Sequence, residues 1–194
     1  MTSSARLLFF AGSARTGSYS KKLARLGAAI AEANGIHSTF LDLADYPMAI
    51  FNGDLEAAEG QPENAKKLKA VMEAHSGVFI ASPEYNASIS PLLKNAIDWV
   101  SHVREGDPPG QVFKTRVFAL GSISTGGMGG LRGLVSVRQI LELGLGALVL
   151  PDQFAVPRCK DAFGDDGHLN NKDQQEIFKG IIQKLARAAH LLHG

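Results

Sequence analysis

Five short apolar runs, each closed by a turn signal and separated from the next by a helical stripe or connection, constrain this chain more than any other feature. They are Arg6 to Ala11, Ile36 to Leu43, Gly77 to Ser82, Thr115 to Ile123 and Ala147 to Leu150. A strand with one wet face alternates apolar and polar residues, whereas these read as solid apolar runs, the mark of strands covered on both faces. Ser18 to Asn34 carries Leu23, Leu26, Ile30 and Ala31 at helical spacing, and Asn34-Gly35 stops it. Glu63 to His75 reads as a second helix. Pro91 to Val103 reads as a third, with Ser90 as N-cap, Pro91 at the first helical position, and Leu92, Leu93, Ala96, Ile97 and Val100 as its stripe. A fourth helix follows a glycine-rich turn and runs through about Leu145. The last, Lys172 to Leu192, is capped by Asn171 and lines up Ile177, Ile181, Leu185, Ala189 and Leu192. Residues 44–62 read as a long Pro/Gly-punctuated connection. Strands and helices in this alternation predict an α/β fold, a five-stranded parallel sheet with helices on both faces. No repeat or linker interrupts it, so residues 1–194 are expected to form a single domain.

The totals narrow the function classes. With 194 residues, 45% hydrophobic and 20% charged, the chain has enough apolar side chains for a sizeable core. A net charge of +1, with scattered basic residues, argues against a dedicated nucleic-acid or membrane surface. The apolar stretch Leu7 to Ala11 is too short for a secretion signal, and no run of about 18 apolar residues occurs, so a cytoplasmic protein is expected. The lone Cys159 excludes an intrachain disulfide. Its neighbours Arg158 and Lys160 pull toward a lower thiol pKa, yet an incidental thiol is the simpler reading. The six histidines, at 37, 75, 102, 168, 190 and 193, show no metal-ligand spacing, so no metal is expected.

In an open parallel sheet, ligands bind beyond the carboxyl ends of the strands. Three such ends carry informative sequence. The first, Gly12-Ser13-Ala14-Arg15-Thr16-Gly17-Ser18-Tyr19-Ser20, sets hydroxyls and one arginine immediately before a helix N-terminus. Unpaired N–H groups and the helix dipole favour an anion there, and Arg15 adds a forked donor. Neither a P-loop nor G-x-G-x-x-G fits, which points to a monophosphate rather than a pyrophosphate. The second, Ser82-Pro83-Glu84-Tyr85-Asn86-Ala87-Ser88-Ile89-Ser90-Pro91, ends a strand at Pro83 and restarts the chain as helix at Pro91. About six amides, Glu84 to Ile89, are thereby expected to be free to pair with a planar heterocycle, with Tyr85 against its edge or face. The competing reading makes Glu84 a catalytic acid, but no histidine or nucleophile lies in these loops. The third, Ser122-Ile123-Ser124-Thr125-Gly126-Gly127-Met128-Gly129-Gly130, brings four glycines within five residues, either for close approach to a ligand or as a hinge.

With these residues in view, the chain resembles the NADPH-dependent FMN reductase family, the flavodoxin-like quinone, chromate and azo-dye reductases. "GSARTGSYSKKLA" is similar to the family's FMN-phosphate loop, "PEYNASISPLLKNAIDW" to its flavin-ring loop, and "STGGMGGLRGLVSVRQIL" to its third loop and helix. The similarity spans nearly the whole chain. The resemblance implies a flavodoxin-like three-layer sandwich with strand order 2-1-3-4-5. It also implies that Ser13, Arg15, Ser18, Tyr19 and Ser20 hold the phosphate of FMN. Pro83, Glu84, Tyr85, Asn86 and Ser88 would line the isoalloxazine, largely through backbone atoms, and Ser122, Ser124 and Gly126 would approach it from the third loop. Ser20 stands where many members carry Asn, and Ala87 and Ser90 replace the more usual Gly and Pro. Members are typically dimers or dimers of dimers, so a homodimer or homotetramer is implied, with the flavin near the subunit interface.

The mechanism implied is ping-pong. NADPH or NADH delivers hydride to bound FMN and leaves, and a small-molecule electron acceptor (a quinone, free flavin, an azo compound or a metal oxyanion) then takes its place. The cofactor carries the chemistry, so no catalytic side chain is required, and N–H donors along the pyrimidine edge would stabilise charge on the reduced ring. Three rivals are a flavodoxin-like electron carrier, a non-catalytic flavin-binding regulator and an α/β hydrolase. The near-neutral charge weighs against the carrier, and the absence of a G-x-S-x-G elbow weighs against the hydrolase.

Overall fold

A computed structural model describes residues 5–193. Its strands are β1 (Arg6–Ala11), β2 (His37–Asp42), β3 (Gly77–Ala81), β4 (Val117–Ile123) and β5 (Leu148–Val156). They form one sheet in the order β2-β1-β3-β4-β5, and every neighbouring pair is parallel, as expected for the flavodoxin-like sandwich. The helices are α1 (Tyr19–Ala33), α2 (Gly53–Glu59), α3 (Glu63–Glu73), α4 (Pro91–His102), α5 (Gln111–Lys114), α6 (Leu131–Gln139) and α7 (Lys172–His193).

Side chains on a strand alternate between faces, so the apolar runs divide into two cores. Leu7, Phe9 and Ala11 of β1, with Phe79 and Ala81 of β3, pack under α1 and α7. Leu8 and Phe10, with Val78 and Ile80, pack under α3, α4 and α6. Aromatic rings knit the first core across the layers: Phe79 lies 5.3 Å from Phe178 of α7, and Phe178 stacks on Phe154 of β5 at 4.7 Å. Burial on both faces is what lets the central strands run apolar throughout.

Four expectations need correction. Residues 44–62 are not a plain loop, because Asn52 caps α2 by accepting a hydrogen bond from the Asp54 amide at 2.8 Å, and a turn at Gly60 ends it. Seven residues are too few to display a helical period, and α5, four residues long, escapes notice for the same reason. The fifth strand runs to Val156 rather than stopping at Leu150. It is an edge strand, where the missing N–H of Pro151 breaks no ladder, and a shift of register between Phe118 and Leu120 accommodates it. The edge strands β2 and β5 are only partly buried, unlike the solid runs in between. In α7 the buried stripe is Phe178, Ile181, Ile182, Leu185, Ala186 and Ala189, which leaves Ile177 and Leu192 exposed.

Candidate functional site

Parallel pairing aligns the carboxyl ends of the three central strands, with Ala11 beside Ala81 and Ala81 beside Gly121. The three segments singled out from sequence therefore leave the sheet side by side, and direct bonds hold them together. The Ser82 amide donates to the Gly121 carbonyl at 2.8 Å, and the Ser90 hydroxyl donates to the Gly12 carbonyl at 2.6 Å. Gly12 is required by space: a Cβ there would sit 2.9 Å from the Leu93 Cβ and 3.1 Å from the Pro83 ring. Ser90 also caps α4 through the Leu93 amide at 3.3 Å, so one hydroxyl locks the start of a helix to the neighbouring loop.

The first loop is built for an anion. Ser18 caps α1 by accepting from the Lys21 amide at 3.4 Å. The amides of Tyr19 and Ser20, in the first turn, have no helical acceptor. Ser13, Ser18 and Ser20 are buried, while Arg15 is exposed, donates to the Gly17 carbonyl at 3.3 Å, and pairs with no carboxylate among the described residues. Tyr19 is half-buried, with the Lys22 ammonium 5.6 Å from its ring centre. Lys21, which sequence inspection passed over, is buried beneath the loop and donates to the Ala14 carbonyl and to Asp42.

The second loop is more ordered than expected. The amides of Tyr85 and Ser88 donate to each other's carbonyls, both at 3.0 Å, so two of the six amides from Glu84 to Ile89 are occupied. Between them Asn86 and Ala87 adopt positive φ of 50° and 64°, the two left-handed residues of a tight reversal. Their amides, and the half-exposed ring of Tyr85 at 47%, form the tip. Pro83 and Ser88 lie partly buried at its base, the Ser88 hydroxyl donating to that of Ser136 at 3.4 Å. A Cβ in the left-handed region is strained, and glycine is not. Replacing Ala87 with glycine is expected to stabilise the protein by about 0.5–1 kcal/mol, after its greater unfolded-state entropy is subtracted; a lower denaturant midpoint would refute this.

Glu84 ties the second loop to the third. Its carboxylate accepts from the Arg132 guanidinium, with Nε at 2.9 Å and Nη2 closer, and from the Gly133 amide at 3.1 Å. Burial of the Glu84 carboxyl pushes its pKa up, but the hydrogen bonds from Arg132 and Gly133 outweigh burial and leave it below the usual glutamate value. A carboxylate so engaged at the head of α6 is an anchor, not a free proton donor. The glycines serve this contact: a Cβ at Gly133 would lie 3.1 Å from that of Glu84. Gly129, at φ +64°, passes 2.8 Å from the Val156 backbone by the same measure. Ser124 is partly exposed and bonded through its amide to the Val156 carbonyl at 3.1 Å; Gly126 is exposed, its carbonyl accepting from the Arg158 amide at 3.2 Å. Ser122 is fully buried, its hydroxyl has no hydrogen-bond partner among the described residues, and Gly130 covers it, so it lies beneath the third loop rather than on its surface. Cys159 is buried, which raises its thiol pKa, and the charges of Arg15 and Lys160 do not reverse this. Arg132, 48 residues from Glu84, is revealed as a partner only by the fold.

These features fit a phosphate monoester joined to a flat ring. Donors without competing carboxylates crowd the start of α1, and free amides with an exposed aromatic edge crown the second loop. Among the described residues, no group of three or more His, Cys, Asp or Glu is placed to hold a metal ion, and no helix is long and apolar enough to cross a membrane. Comparison with known proteins points the same way. Residues 5–161 match the sequence family described as NADPH-dependent FMN reductase. A probable NADPH:quinone oxidoreductase 2 of Oryza sativa is 32% identical over 97% of this chain and 91% of its own length. An NAD(P)H-dependent FMN reductase of Pseudomonas aeruginosa is 30% identical over 100% of both chains. Among solved structures, the flavoenzyme NAD(P)H:(acceptor) oxidoreductase FerB of Paracoccus denitrificans superposes with a TM-score of 0.79 over 97% of this chain and 98% of its own, at 24% identity, which speaks for the fold. By its matched residues and by relatives that align along its length, this chain belongs to the NADPH-dependent FMN reductase family.

Proposed function

We propose that residues 1–194 form one flavin-binding domain that passes hydride from NADPH or NADH, by way of FMN held across the three loops, to small-molecule acceptors in a ping-pong cycle. Quinones, free flavin, azo compounds and metal oxyanions are the acceptor classes an open cleft admits. Bound FMN would supply the redox chemistry, a two-electron exchange between nicotinamide and acceptor. The chain supplies placement. Ser13, Arg15, Ser18, Tyr19 and Ser20 hold the phosphate, and the observation that carries this reading is the set of unpaired α1 amides beside an arginine that faces no carboxylate. Pro83, Glu84, Tyr85, Asn86 and Ser88 line the ring, the Asn86 and Ala87 amides facing its polar edge. Ser124 and Gly126 approach from the third loop, while buried Ser122 acts only by supporting Gly130. No side chain is assigned a proton-transfer role. Exposed Met128, Leu131 and Val135 beside the third loop support assembly as a homodimer or homotetramer.

The test is an absorbance spectrum of the purified protein followed by anaerobic NADPH. A flavin band that bleaches without any partner protein supports a reductase, and a band that persists leaves a mere flavin binder. Arg15→Ala is expected to weaken FMN binding by about 2 kcal/mol, the worth of a charge-assisted bond to phosphate at an exposed site. Unchanged affinity in a titration of the apoprotein would remove Arg15 from the site.

A further inference from the structure

Lys21 is only 6% exposed, one of two lysines buried among the described residues. Its ammonium donates to Asp42 Oδ2 at 2.7 Å and to the Ala14 carbonyl at 3.2 Å. Asp42 ends β2, and its other oxygen accepts from the Ala44 amide at 3.0 Å. Burial pushes the Asp42 carboxyl upward, but the bonds from Lys21 and Ala44 and the charge of Arg25 outweigh it and hold the carboxyl below its usual value. Asp42 is therefore ionised at neutral pH, and its bond to Lys21 carries the link from the edge strand to the middle of the first loop.

A buried ion pair is a poor stabiliser, since desolvation offsets most of its attraction, and an apolar side chain of similar length often serves stability as well. The apolar chain cannot hold a carbonyl. A trans peptide is planar, with its C=O and N–H pointing oppositely. Drawing the Ala14 carbonyl down toward the Lys21 ammonium thus turns the Arg15 amide away from it, where it makes a long hydrogen bond of 3.4 Å to the Ser13 hydroxyl. We infer that Lys21 is a positioning residue, which fixes the Ala14–Arg15 peptide so that the amide and guanidinium of Arg15 both face the FMN phosphate. The inference rests on the functional reading above and adds a residue that touches neither phosphate nor ring.

Titration of the apoprotein with FMN and with riboflavin, read by quenching of flavin fluorescence, separates this role from a general structural one. Lys21→Met is expected to weaken FMN binding about tenfold or more, the loss of a misplaced charge-assisted contact. Riboflavin, which lacks the phosphate, is expected to bind within about twofold of wild type, because the ring loops are untouched. Asp42→Asn added to Lys21→Met is expected to do nothing further to FMN affinity, since the strut is already broken. Unchanged FMN affinity in Lys21→Met would overturn the inference. So would a parallel loss of FMN and riboflavin affinity with a lowered melting temperature, the outcome of a merely structural lysine. Failure of the wild-type apoprotein to bind FMN at all would instead overturn the functional reading beneath it.

Discussion

Trp99→Ala is expected to destabilise the protein by about 3–5 kcal/mol, the largest effect of any single substitution considered. Trp99 has no exposed surface, and its indole N–H donates to the Ala49 carbonyl at 2.7 Å. Its ring meets Phe51 edge-on, centres 4.9 Å apart. One turn earlier on α4, Asn95 donates to the same Ala49 carbonyl at 2.9 Å and accepts from the Phe51 amide at 2.8 Å. Three side chains of α4 thus hold the otherwise half-exposed segment 46–60, His102 meeting Glu56 at 3.0 Å, and alanine at 99 would remove a ring's worth of packing and one of the two bonds to the Ala49 carbonyl. Unfolding by denaturant, followed by circular dichroism because the only tryptophan is gone, should show the midpoint fall. Hydrogen exchange should rise first in residues 46–60. Trp99→Phe keeps most of the volume and is expected to cost about 1–2 kcal/mol. A loss below about 1 kcal/mol for the alanine variant would mean that the segment is held by other contacts.

The same anchor shows where a sequence stops being legible. The central strands are readable as unbroken apolar runs and α1, α4 and α7 as helical periods, although the stripe of α7 lies to one side of the expected one, with Phe178 buried and Ile177 exposed. Ser90 and Asn171 are readable as caps because a cap acts within its own turn; each accepts from the amide three residues on. Asn95 and Trp99 stood in plain view within "LKNAIDW", and an amide on the buried side of a helix was itself a signal that something polar must cross to meet it. What it meets lies about 46 residues away, and no local pattern supplies that. The Glu84–Arg132 pair is hidden for the same reason, and so is Lys21–Asp42, where two residues on separate elements become partners only after β1 and β2 align. The second loop misled differently. Prolines at 83 and 91 do end strand and begin helix, but the chain between them closes on itself at Tyr85 and Ser88, although Ala87 pays the strain of a left-handed residue without being glycine. Composition pointed to a ligand loop and understated how much of it is already folded.

Glu84→Ala carries the second large expectation, a loss of about 2–3 kcal/mol at neutral pH that shrinks in acid, where a protonated carboxyl still offers Gly133 an acceptor but no charge. The Glu84 side chain is 9% exposed, whereas Arg132 is 56% exposed and is rehydrated when its partner goes, so the guanidinium side of the pair contributes modestly. Most of the loss comes from the Gly133 amide, a buried donor at the first turn of α6 left without an acceptor, and from removal of a negative charge at a helix N-terminus. Glu84→Gln retains an acceptor and is expected to lose about 1 kcal/mol. The pH dependence fixes the sign. The folded-state pKa of Glu84 lies below the unfolded value of about 4.3, so its contribution is complete above that value and fades as pH falls through the lower one. Stability of wild type and Glu84→Ala, compared at fixed ionic strength, should therefore differ fully at pH 7 and draw closer, by about the 1 kcal/mol that Glu84→Gln loses, as pH falls through the folded-state value. A gap that held constant into acid would show that the carboxylate charge is not what fastens the second loop to α6, and that the uncharged bonds, Gly133 to Glu84 and Ser88 to Ser136, do so instead.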